Sequence, residues 1–284
     1  MILRGVFLRT ILLAALVLAE GLTVPRTAGS PSVAPVSSSA TRLPCLLYHR
    51  FVTRPEYARI RGDERLYSIS IDSFEAQLRR LRQLGYRSLS ADEAVAFARG
   101  EKSWTQPIVL ITIDDGCRSV LTQAEPLLRK YGFRAVFFVT LDSSAYVFGL
   151  GHADQSRVSD DALRALDPAV IEVQSHGVTH RPLCDLSEKD MIQELVQSRT
   201  ELERITGRPV RHLAIPGNWY DARVLRHAKQ SGYEGIFVSD RDWVRPGSSP
   251  TQLPRINIAG FTTMSAFEAI LSGSAKPRAE APIH

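Results

Sequence analysis

Two adjacent carboxylates stand at the end of a strongly apolar run of residues. Residues 107–113 predict a buried β-strand, and Asp114, Asp115 and Gly116 follow it directly. On its own, this pattern favours a plain strand-to-helix turn, because Asp-Gly is a common turn signal and acids favour helix N-termini. Adjacent acids repel each other unless a cation lies between them or one is protonated. A metal ion would resolve that repulsion, with one aspartate as its ligand and the other left free as a base.

Two histidines four positions apart form a second motif. His176 and His180 follow a predicted strand at 170–173, and Gly177 permits a tight turn between them. Taken alone, they could equally be exposed loop histidines. Because both motifs follow strands of one predicted parallel sheet, we expect them at the same end of that sheet. Two imidazoles and one carboxylate would leave open positions for water and substrate on a divalent ion, with zinc favoured and other first-row metals left open.

Such a site suits the hydrolysis of a resistant bond such as an amide. A bound divalent ion lowers the pKa of water toward roughly 7. The second aspartate would then accept the proton of the attacking water. Together, the two motifs predict a metal-dependent hydrolase.

The rest of the sequence alternates short β-rich runs with amphipathic helices, which must position these motifs. Strands are predicted at 45–48, 86–89, 107–113, 135–139, 170–173, 212–215, 235–238 and 255–258. Helices are predicted at 73–85 behind an Asp72 cap, from the Ser90 and Glu93 capping pattern to about 100, and at 121–131, 188–205, 222–230 and 264–271. Repeated βα units with strands apolar on both faces predict a single-domain α/β fold, a parallel sheet closed or nearly closed into a barrel.

The two ends of the chain differ in composition from this body. In residues 1–30, Arg4 and Arg9 precede an apolar run and small residues, which is typical of an export signal, either cleaved or kept as an anchor. Residues 31–42 predict a flexible linker and residues 272–284 a disordered tail, which leaves 43–271 as the catalytic domain. We therefore expect an exported protein that is periplasmic, secreted or membrane-anchored on the outer side of the cytoplasmic membrane.

Composition narrows the class of protein. The 284 residues are 44% hydrophobic and 23% charged, which excludes intrinsic disorder for most of the chain. The net charge of +5 comes from scattered arginines rather than basic runs, so we expect no nucleic-acid partner and only mild attraction to anionic polymers such as cell walls.

The three cysteines, Cys45, Cys117 and Cys184, are an odd number without the close spacing of a zinc or redox pair. A disulfide between Cys117 and Cys184 stays open at this point, because each lies a few residues from a proposed metal-binding motif. At least one thiol must remain unpaired within the chain.

At these motifs the sequence resembles the polysaccharide deacetylase family, also called carbohydrate esterase family four or NodB-homology domains, in its exopolysaccharide-deacetylase-like branch. The family's T-F-D-D-G motif reads T-I-D-D-G at 112–116, and its H-[ST]-x-x-H motif reads H-G-V-T-H at 176–180. The likeness covers most of 43–258. It implies a distorted (β/α) barrel that removes N-acetyl groups from an amino-sugar polymer or oligosaccharide. It also implies Asp114 as general base and Asp115, His176 and His180 as metal ligands.

Two departures from the family pattern concern catalysis. The R-x-P-[FY] motif appears as residues 214–217 with alanine in place of the arginine, as in other branches that act on exopolysaccharides. We expect Arg255 or Arg241 to replace it beside Asp114. The family's late histidine, the general acid, has no counterpart after residue 258, and His49 is the candidate in its place. A structural histidine that caps the first strand is the alternative interpretation.

Aromatic side chains near these motifs could contact a sugar. We assign Trp219, Tyr220 and Trp243, together with Arg255, to the substrate-binding site. Ordinary core packing is the alternative for the rings, and it is favoured for Trp243.

Two further functions stay open at the sequence level. A secreted carbohydrate-binding pseudoenzyme would explain the missing arginine and acid, but it would not require Asp114. A metal hydrolase of another N-acyl or ester substrate is equally compatible with the motifs. Peripheral or anchored membrane association through the N-terminus also stays open.

Overall fold

The computed structural model describes residues 40–144 and 156–274. The predicted export signal at 1–30, the linker up to residue 39 and the tail from 275 onward lie outside the described residues. Within the described ranges, no helix combines the length and the apolar character needed to cross a membrane.

Eleven short strands are described, and every pairing between them is parallel. They are β1 Cys45–Tyr48, β2 Arg50–Val52, β3 Ser68–Ser70, β4 Arg87–Ser88, β5 Ile108–Ile113, β6 Ala135–Val139, β7 Ile171–Ser175, β8 His212–Ala214, β9 Gly235–Val238, β10 Leu253–Pro254 and β11 Ile256–Asn257. One sheet has the order β10-β9-β8-β7-β6-β5-β1-β11, with β4 beside β5, and β2 pairs with β3 separately.

The two ends of the large sheet meet in one short segment. β10 and β11 are separated in the chain by Arg255 alone, yet β10 pairs with β9 and β11 pairs with β1. On one side the backbone N–H of Arg255 donates to the Val238 carbonyl at 2.8 Å, and on the other Ile258 donates to Leu47 at 2.9 Å. The segment therefore nearly closes the sheet, which confirms the predicted (β/α) barrel.

Eight α-helices are described around the sheet. They are α1 Arg54–Arg59, α2 Ile71–Gln83, α3 Ala91–Ala98, α4 Glu125–Tyr131, α5 Asp160–Ala165, α6 Glu188–Thr206, α7 Ala222–Gln230 and α8 Met264–Ser272. The capping box of Ser90 and Glu93 is present, and Gly207 ends α6 in the left-handed conformation with φ of 65°.

Two helix starts differ from the sequence prediction. α2 begins earlier, because Ser70 rather than Asp72 is the N-cap and accepts from the Ser73 backbone N–H. The helix predicted at 121–131 begins as a π-helical turn, Val120–Ala124, before α4. Pro126 has no N–H to donate to residue 122, so a regular α-helix cannot continue through this position.

The strands bury both faces. The cluster inside the barrel consists of Leu43, Cys45, Leu89, Ala91, Ala94, Val95, Phe97, Ala98, Ile108, Leu110, Val136, Phe138, Ala214, Phe237, Val244 and Leu253. On β5, residues 109, 111 and 113 belong instead to the cluster between the sheet and the outer helices. Because side chains alternate along a strand, Thr112 and Asp114 face the interior above Leu110.

Candidate metal centre

The two adjacent aspartates reach one site because the backbone reverses between them. Asp114 ends the inward-facing row of β5, and an extended Asp115 would point outward. Asp115 instead adopts a left-handed backbone with φ of 76°, which is uncommon for a residue other than glycine. Gly116 follows with φ of 95°, and a Cβ atom there would lie 3.1 Å from Val139 Cγ1. The glycine of the motif is therefore required by both conformation and space.

The two histidines come from the loop after β7, residues 176–180, called here the histidine loop. His176 continues β7, since its N–H donates to the Val139 carbonyl at 3.0 Å. Gly177 and His180 both have positive φ, 76° and 59°, which turns the loop back on itself. The two imidazole rings lie 4.9 Å apart, centre to centre.

Asp115, His176 and His180 form a buried group of three that could hold a metal ion. One ligand atom from each residue lies within 4.8 Å of the others. Asp115 Oδ1 is 3.7 Å from His176 Nε2 and 3.5 Å from His180 Nε2. Asp114 lies beside this group, with its Oδ2 atom 3.8 Å from His176 Nε2. The structure thus brings together the four residues that the two motifs singled out.

The chemistry of these side chains fits a divalent cation. His176 Nδ1 lies 2.9 Å from the Ala214 carbonyl, which can only accept, so Nδ1 carries the proton and the Nε2 lone pair faces Asp115. Burial lowers the pKa of His176, and burial together with His176 lowers the pKa of His180 to about 3, so both rings are neutral donors of a lone pair. Neutral imidazoles and a carboxylate are zinc ligands.

The two adjacent carboxyl groups repel each other when both are ionised, and a bound cation would offset this repulsion. Burial and the neighbouring charge of Asp114 raise the pKa of Asp115 to about 7, partly offset by Arg50 and Arg255. For Asp114 burial also acts to raise the pKa, but the charge of Arg255 and its hydrogen bonds, with contributions from the neighbouring His176 and His49, outweigh it, so its pKa is lowered. Asp114 is therefore the member of the pair held as a carboxylate, and Asp115 needs a positive partner to stay ionised.

Arg255 is the partner of Asp114. Its Nη1 and Nη2 atoms donate to the two carboxylate oxygens at 2.6 and 2.8 Å, a bidentate ion pair. The Arg255 guanidinium lies 5.5 Å from the centre of the Phe138 ring, inside the barrel. Arg255 is 0% exposed and both of its terminal nitrogens bind Asp114, so the structure favours the role beside Asp114, and its contact with substrate stays a prediction. Arg241 contributes its backbone N–H to the Arg255 carbonyl at 3.0 Å.

His49 lies at the edge of the same site, directly after β1. Burial lowers its pKa to about 3, Asp114 acts in the opposite direction, and Arg255, Arg50 and His176 add to the lowering. Its ring packs edge-on against Tyr67, 5.0 Å between centres. Its buried Nδ1 atom has no hydrogen-bond partner within the part of the chain that the structure describes. The ring is therefore neutral before any reaction.

The aromatic residues separate into two groups. Trp219 and Tyr220 are half-buried in the loop after β8, on the metal-site end of the sheet. The Tyr220 hydroxyl donates to Asp240 at 2.5 Å. Trp243 is 4% exposed and its indole N–H donates to the Ile270 carbonyl, while the next residue, Val244, pairs with Leu43 before β1. Trp243 is a buried residue at the opposite end of the barrel, which favours the core-packing alternative over substrate contact.

Two charged residues at the site were missed by the sequence analysis. Glu194 of α6 is 7% exposed and accepts hydrogen bonds from the histidine loop. Its signal was available, since it falls between Met191 and Leu195 on the buried face of a helix. Arg50 is 6% exposed and lowers the pKa of both Asp115 and His49, but its position in a three-residue strand gave no pattern to detect.

All three cysteines are free, so the disulfide considered between Cys117 and Cys184 is not present. Cys117 is fully buried behind Asp115, and burial followed by the Asp115 charge raises the pKa of its thiol. Neither residue contributes to the group of candidate ligands.

Comparison with known proteins shows that both motifs lie in a region that matches a protein family. Residues 101–236 match the family model described as polysaccharide deacetylase, a range that includes both aspartates and both histidines. YxkH of Bacillus subtilis (strain 168), named as a polysaccharide deacetylase, is 24% identical over 230 residues, which is 81% of this chain and 76% of that protein.

Solved structures share the fold at lower identity. The Streptococcus pyogenes deacetylase PplD, in complex with acetate, has a TM-score of 0.70 at 22% identity, covering 81% of this chain and 98% of that one. IcaB from Ammonifex degensii has a TM-score of 0.66 at 22% identity, covering 82% and 97%. The barrel described above is therefore a known architecture among deacetylases.

Proposed function

We propose that this chain catalyses the metal-dependent removal of N-acetyl groups from an amino-sugar polymer. The chain carries a polysaccharide deacetylase domain, which bears out the resemblance of its sequence motifs. The polymer is an exopolysaccharide or a cell-wall glycan. The observation that carries the proposal is the buried group Asp115, His176 and His180 with the ion-paired Asp114 beside it. An amide needs both an activated water and a base, and these residues can supply both.

Asp115 Oδ1 and the Nε2 atoms of His176 and His180 would hold the divalent ion, with zinc favoured. When bound, such an ion supplies Lewis-acid activation of the attacking water and of the acyl group. Asp114 stays outside this set of ligands. Its carboxylate is held by the two nitrogens of Arg255, which fixes its orientation and keeps it ionised.

Asp114 acts as the general base in this proposal. The oxygen of water bonds to the acetyl carbonyl carbon, and Asp114 accepts the proton that the water loses. The C–N bond then breaks, which yields acetate and requires a proton on the leaving sugar nitrogen. His49 is proposed to deliver that proton. Because its ring is neutral at rest, it can accept the proton that Asp114 took from the water and donate it to the nitrogen, which returns Asp114 to its carboxylate form.

Trp219 is proposed to contact the sugar rings, since it is half-buried beside the histidine loop. A Cβ atom at Gly177 would lie 3.4 Å from Pro216 Cγ, so the loop that carries Trp219 packs directly on the histidine loop. The indole covers Gly217, where a Cβ atom would come within 2.3 Å of the ring. The polymer substrate and the N-terminal export pattern agree with a protein that works outside the cytoplasmic membrane, in the periplasm, secreted or anchored.

Acetate release is the direct test. Metal-stripped protein is incubated with acetylated chito-oligosaccharides and with poly-N-acetylglucosamine, with and without added Zn²⁺, and acetate is quantified. We expect release only with the ion. Asp114→Asn should abolish release but retain the bound ion, whereas His176→Ala should lose both.

The alternatives give different results in the same experiment. Sugar binding without acetate release by the wild type would favour a binding pseudoenzyme. Release that does not depend on a divalent ion would contradict the proposed mechanism. Inactivity on both glycans, together with ion-dependent cleavage of other N-acyl or ester compounds, would show that the chain acts on a different substrate by the same metal-dependent hydrolysis.

A further inference from the structure

The buried carboxylate of Glu194, on α6, accepts three hydrogen bonds from the histidine loop. Glu194 Oε2 accepts from the backbone N–H of Val178 at 2.7 Å and of Thr179 at 3.0 Å, and Oε1 accepts from the Thr179 hydroxyl at 2.5 Å. Glu194 is only 7% exposed. A carboxylate buried to this degree is costly unless its oxygens are satisfied, and here three donors from one short loop satisfy them.

The histidine loop needs such an anchor because its backbone is strained. His180 adopts φ of 59°, the left-handed region that only a few per cent of residues other than glycine occupy. A non-glycine residue held there costs on the order of 1 kcal/mol or more. Two successive backbone N–H groups, those of Val178 and Thr179, point into the protein. Without an acceptor they would be buried donors, and the loop would gain by opening toward water.

The rest of α6 makes the anchor rigid. Met191 and Leu195, on either side of Glu194, are fully buried in the core. One turn further along, the Ser198 hydroxyl lies 2.9 Å from the Ser175 hydroxyl, directly before His176. The chain is therefore attached to one helix at two points, Ser175 directly before His176 and residues 178–179 directly before His180.

We propose that Glu194 is a positioning residue for the candidate metal centre. It does not touch the ion or the substrate. It fixes the backbone of residues 178 and 179 so that both imidazoles are presented together, which preforms the ligand group before an ion binds. This inference rests on the proposed function only in that a divalent ion binds at Asp115, His176 and His180.

The test measures ion affinity directly. Metal-stripped wild type, Glu194→Gln and Glu194→Ala are titrated with Zn²⁺ against a chromophoric chelator, and with Co²⁺ while the visible absorption of the bound ion is recorded. Loss of a residue that orients ligands costs roughly 10- to 100-fold in metal affinity, and we expect that loss for Glu194→Ala. Glu194→Gln should lose less, since its carbonyl oxygen can still accept from the two backbone N–H groups.

Two further variants separate positioning from folding. Glu201→Gln is the matched control, because Glu201 lies on the same helix, has a side chain that is 40% exposed and pairs with Arg204 rather than with the histidine loop. Thr179→Val removes one of the three hydrogen bonds and leaves Glu194 in place, so it tests the loop even if Glu194→Ala does not fold. Thermal unfolding of the metal-free proteins is recorded in parallel. We expect Thr179→Val to weaken Zn²⁺ binding by several-fold and Glu201→Gln to leave it unchanged.

The outcomes are distinct. Weaker Zn²⁺ binding and an altered Co²⁺ spectrum in folded Glu194→Gln and Thr179→Val support the inference, as does turnover that excess ion restores. Unchanged affinity and spectrum, with or without a lower melting temperature, would overturn it and leave Glu194 a structural residue. A wild type that binds no divalent ion would contradict the proposed function itself, and the inference would fall with it.

Discussion

At the scale of single residues, the most consequential contact is the buried ion pair of Arg255 and Asp114. Both side chains are almost fully inaccessible to solvent, and the guanidinium reaches both carboxylate oxygens. A buried pair with good geometry is costly to break from either side, because the remaining charge is left without a partner. The position of Arg255 therefore matters for stability and for catalysis together.

We expect Arg255→Met to lower the free energy of unfolding by about 3–5 kcal/mol, since it leaves the Asp114 carboxylate buried and unpaired. Turnover should fall on the order of 100-fold or more, because the base loses the partner that orients it and keeps it ionised. Urea denaturation and acetate release measure the two effects. Arg241→Met, which keeps the backbone hydrogen bond of that residue, is the control, and equal turnover in both variants would rule out the role of Arg255.

The sequence motifs predicted which residues could carry the chemistry better than they predicted which distant residues contact them. Asp114, Asp115, His176 and His180 could be selected because their spacing is local and each motif follows an apolar strand. Arg255 and Arg241 could not be ranked from the sequence, because only the closure of the sheet brings residue 255 opposite residue 114, 141 positions away. For the same reason, the sequence left Trp243 open between substrate contact and core packing.

At the scale of elements, local signals located most helices and strands. Capping patterns and terminal glycines predicted α3 and α6 well, because those signals depend on neighbours in the chain. α1, β2, β3 and α5 were missed. Each is three to six residues long, which is too short for a hydrophobic period to emerge. The capping box of Thr53 and Glu56 at the start of α1 was a local signal that the sequence analysis did not use.

One contact between elements should make stability depend on pH. Asp92 at the start of α3 accepts from His212 Nε2 of β8 at 2.8 Å, and the hydrogen bond to His212 is the main cause that lowers the pKa of Asp92. A carboxyl with a lowered folded-state pKa stabilises the protein above its unfolded pKa of roughly 4, and this contribution is lost as the pH falls through the folded pKa.

We therefore expect Asp92→Asn to reduce the free energy of unfolding at pH 7 by up to about 1 kcal/mol, a modest value because Asp92 is half-exposed. The difference from the wild type should be full above the unfolded pKa of roughly 4 and should shrink as the pH falls below it through the lowered folded-state pKa of Asp92. Urea denaturation at a series of pH values measures it. Asp161→Asn, which removes an exposed partner of Arg164, should show no such pH-dependent difference; a constant difference for Asp92→Asn would contradict the linkage.

The loop after β8 gives a prediction about substrate contact. We expect Trp219→Ala to raise KM for acetylated chito-oligosaccharides by roughly 2- to 10-fold, which corresponds to the loss of about 0.5–1.5 kcal/mol of ring contact, with little change in kcat. Trp243→Phe removes the buried hydrogen bond to Ile270 and should lower the melting temperature while KM stays the same. A KM change in the second variant but not the first would reverse our assignment of the two rings.

At the scale of the whole molecule, the inner apolar cluster and the candidate site lie toward opposite ends of the barrel strands. α3 and the residues around Leu43 and Val244 belong to the inner cluster at the amino ends of the strands, while every candidate functional side chain lies at or near their carboxyl ends. The alternation of strands and helices was enough to predict this architecture. It could not reveal that the interior beneath the site holds a charged residue, because a buried arginine contradicts the apolar pattern on which the prediction rests.

The number of reactive thiols shows whether the fold contains a disulfide bond, which an exported protein could form. Cys45 and Cys117 are fully buried, and burial raises the pKa of both thiols, whereas Cys184 is half-buried. We expect about one thiol to react with an aromatic disulfide reagent in the native protein, because only Cys184 is accessible, and three in the unreduced, denatured protein. A reductant should then leave the melting temperature unchanged. One reactive thiol after denaturation would show a disulfide within the chain, and the loops that carry Cys117 and Cys184, each beside a metal-site motif, would then be joined covalently.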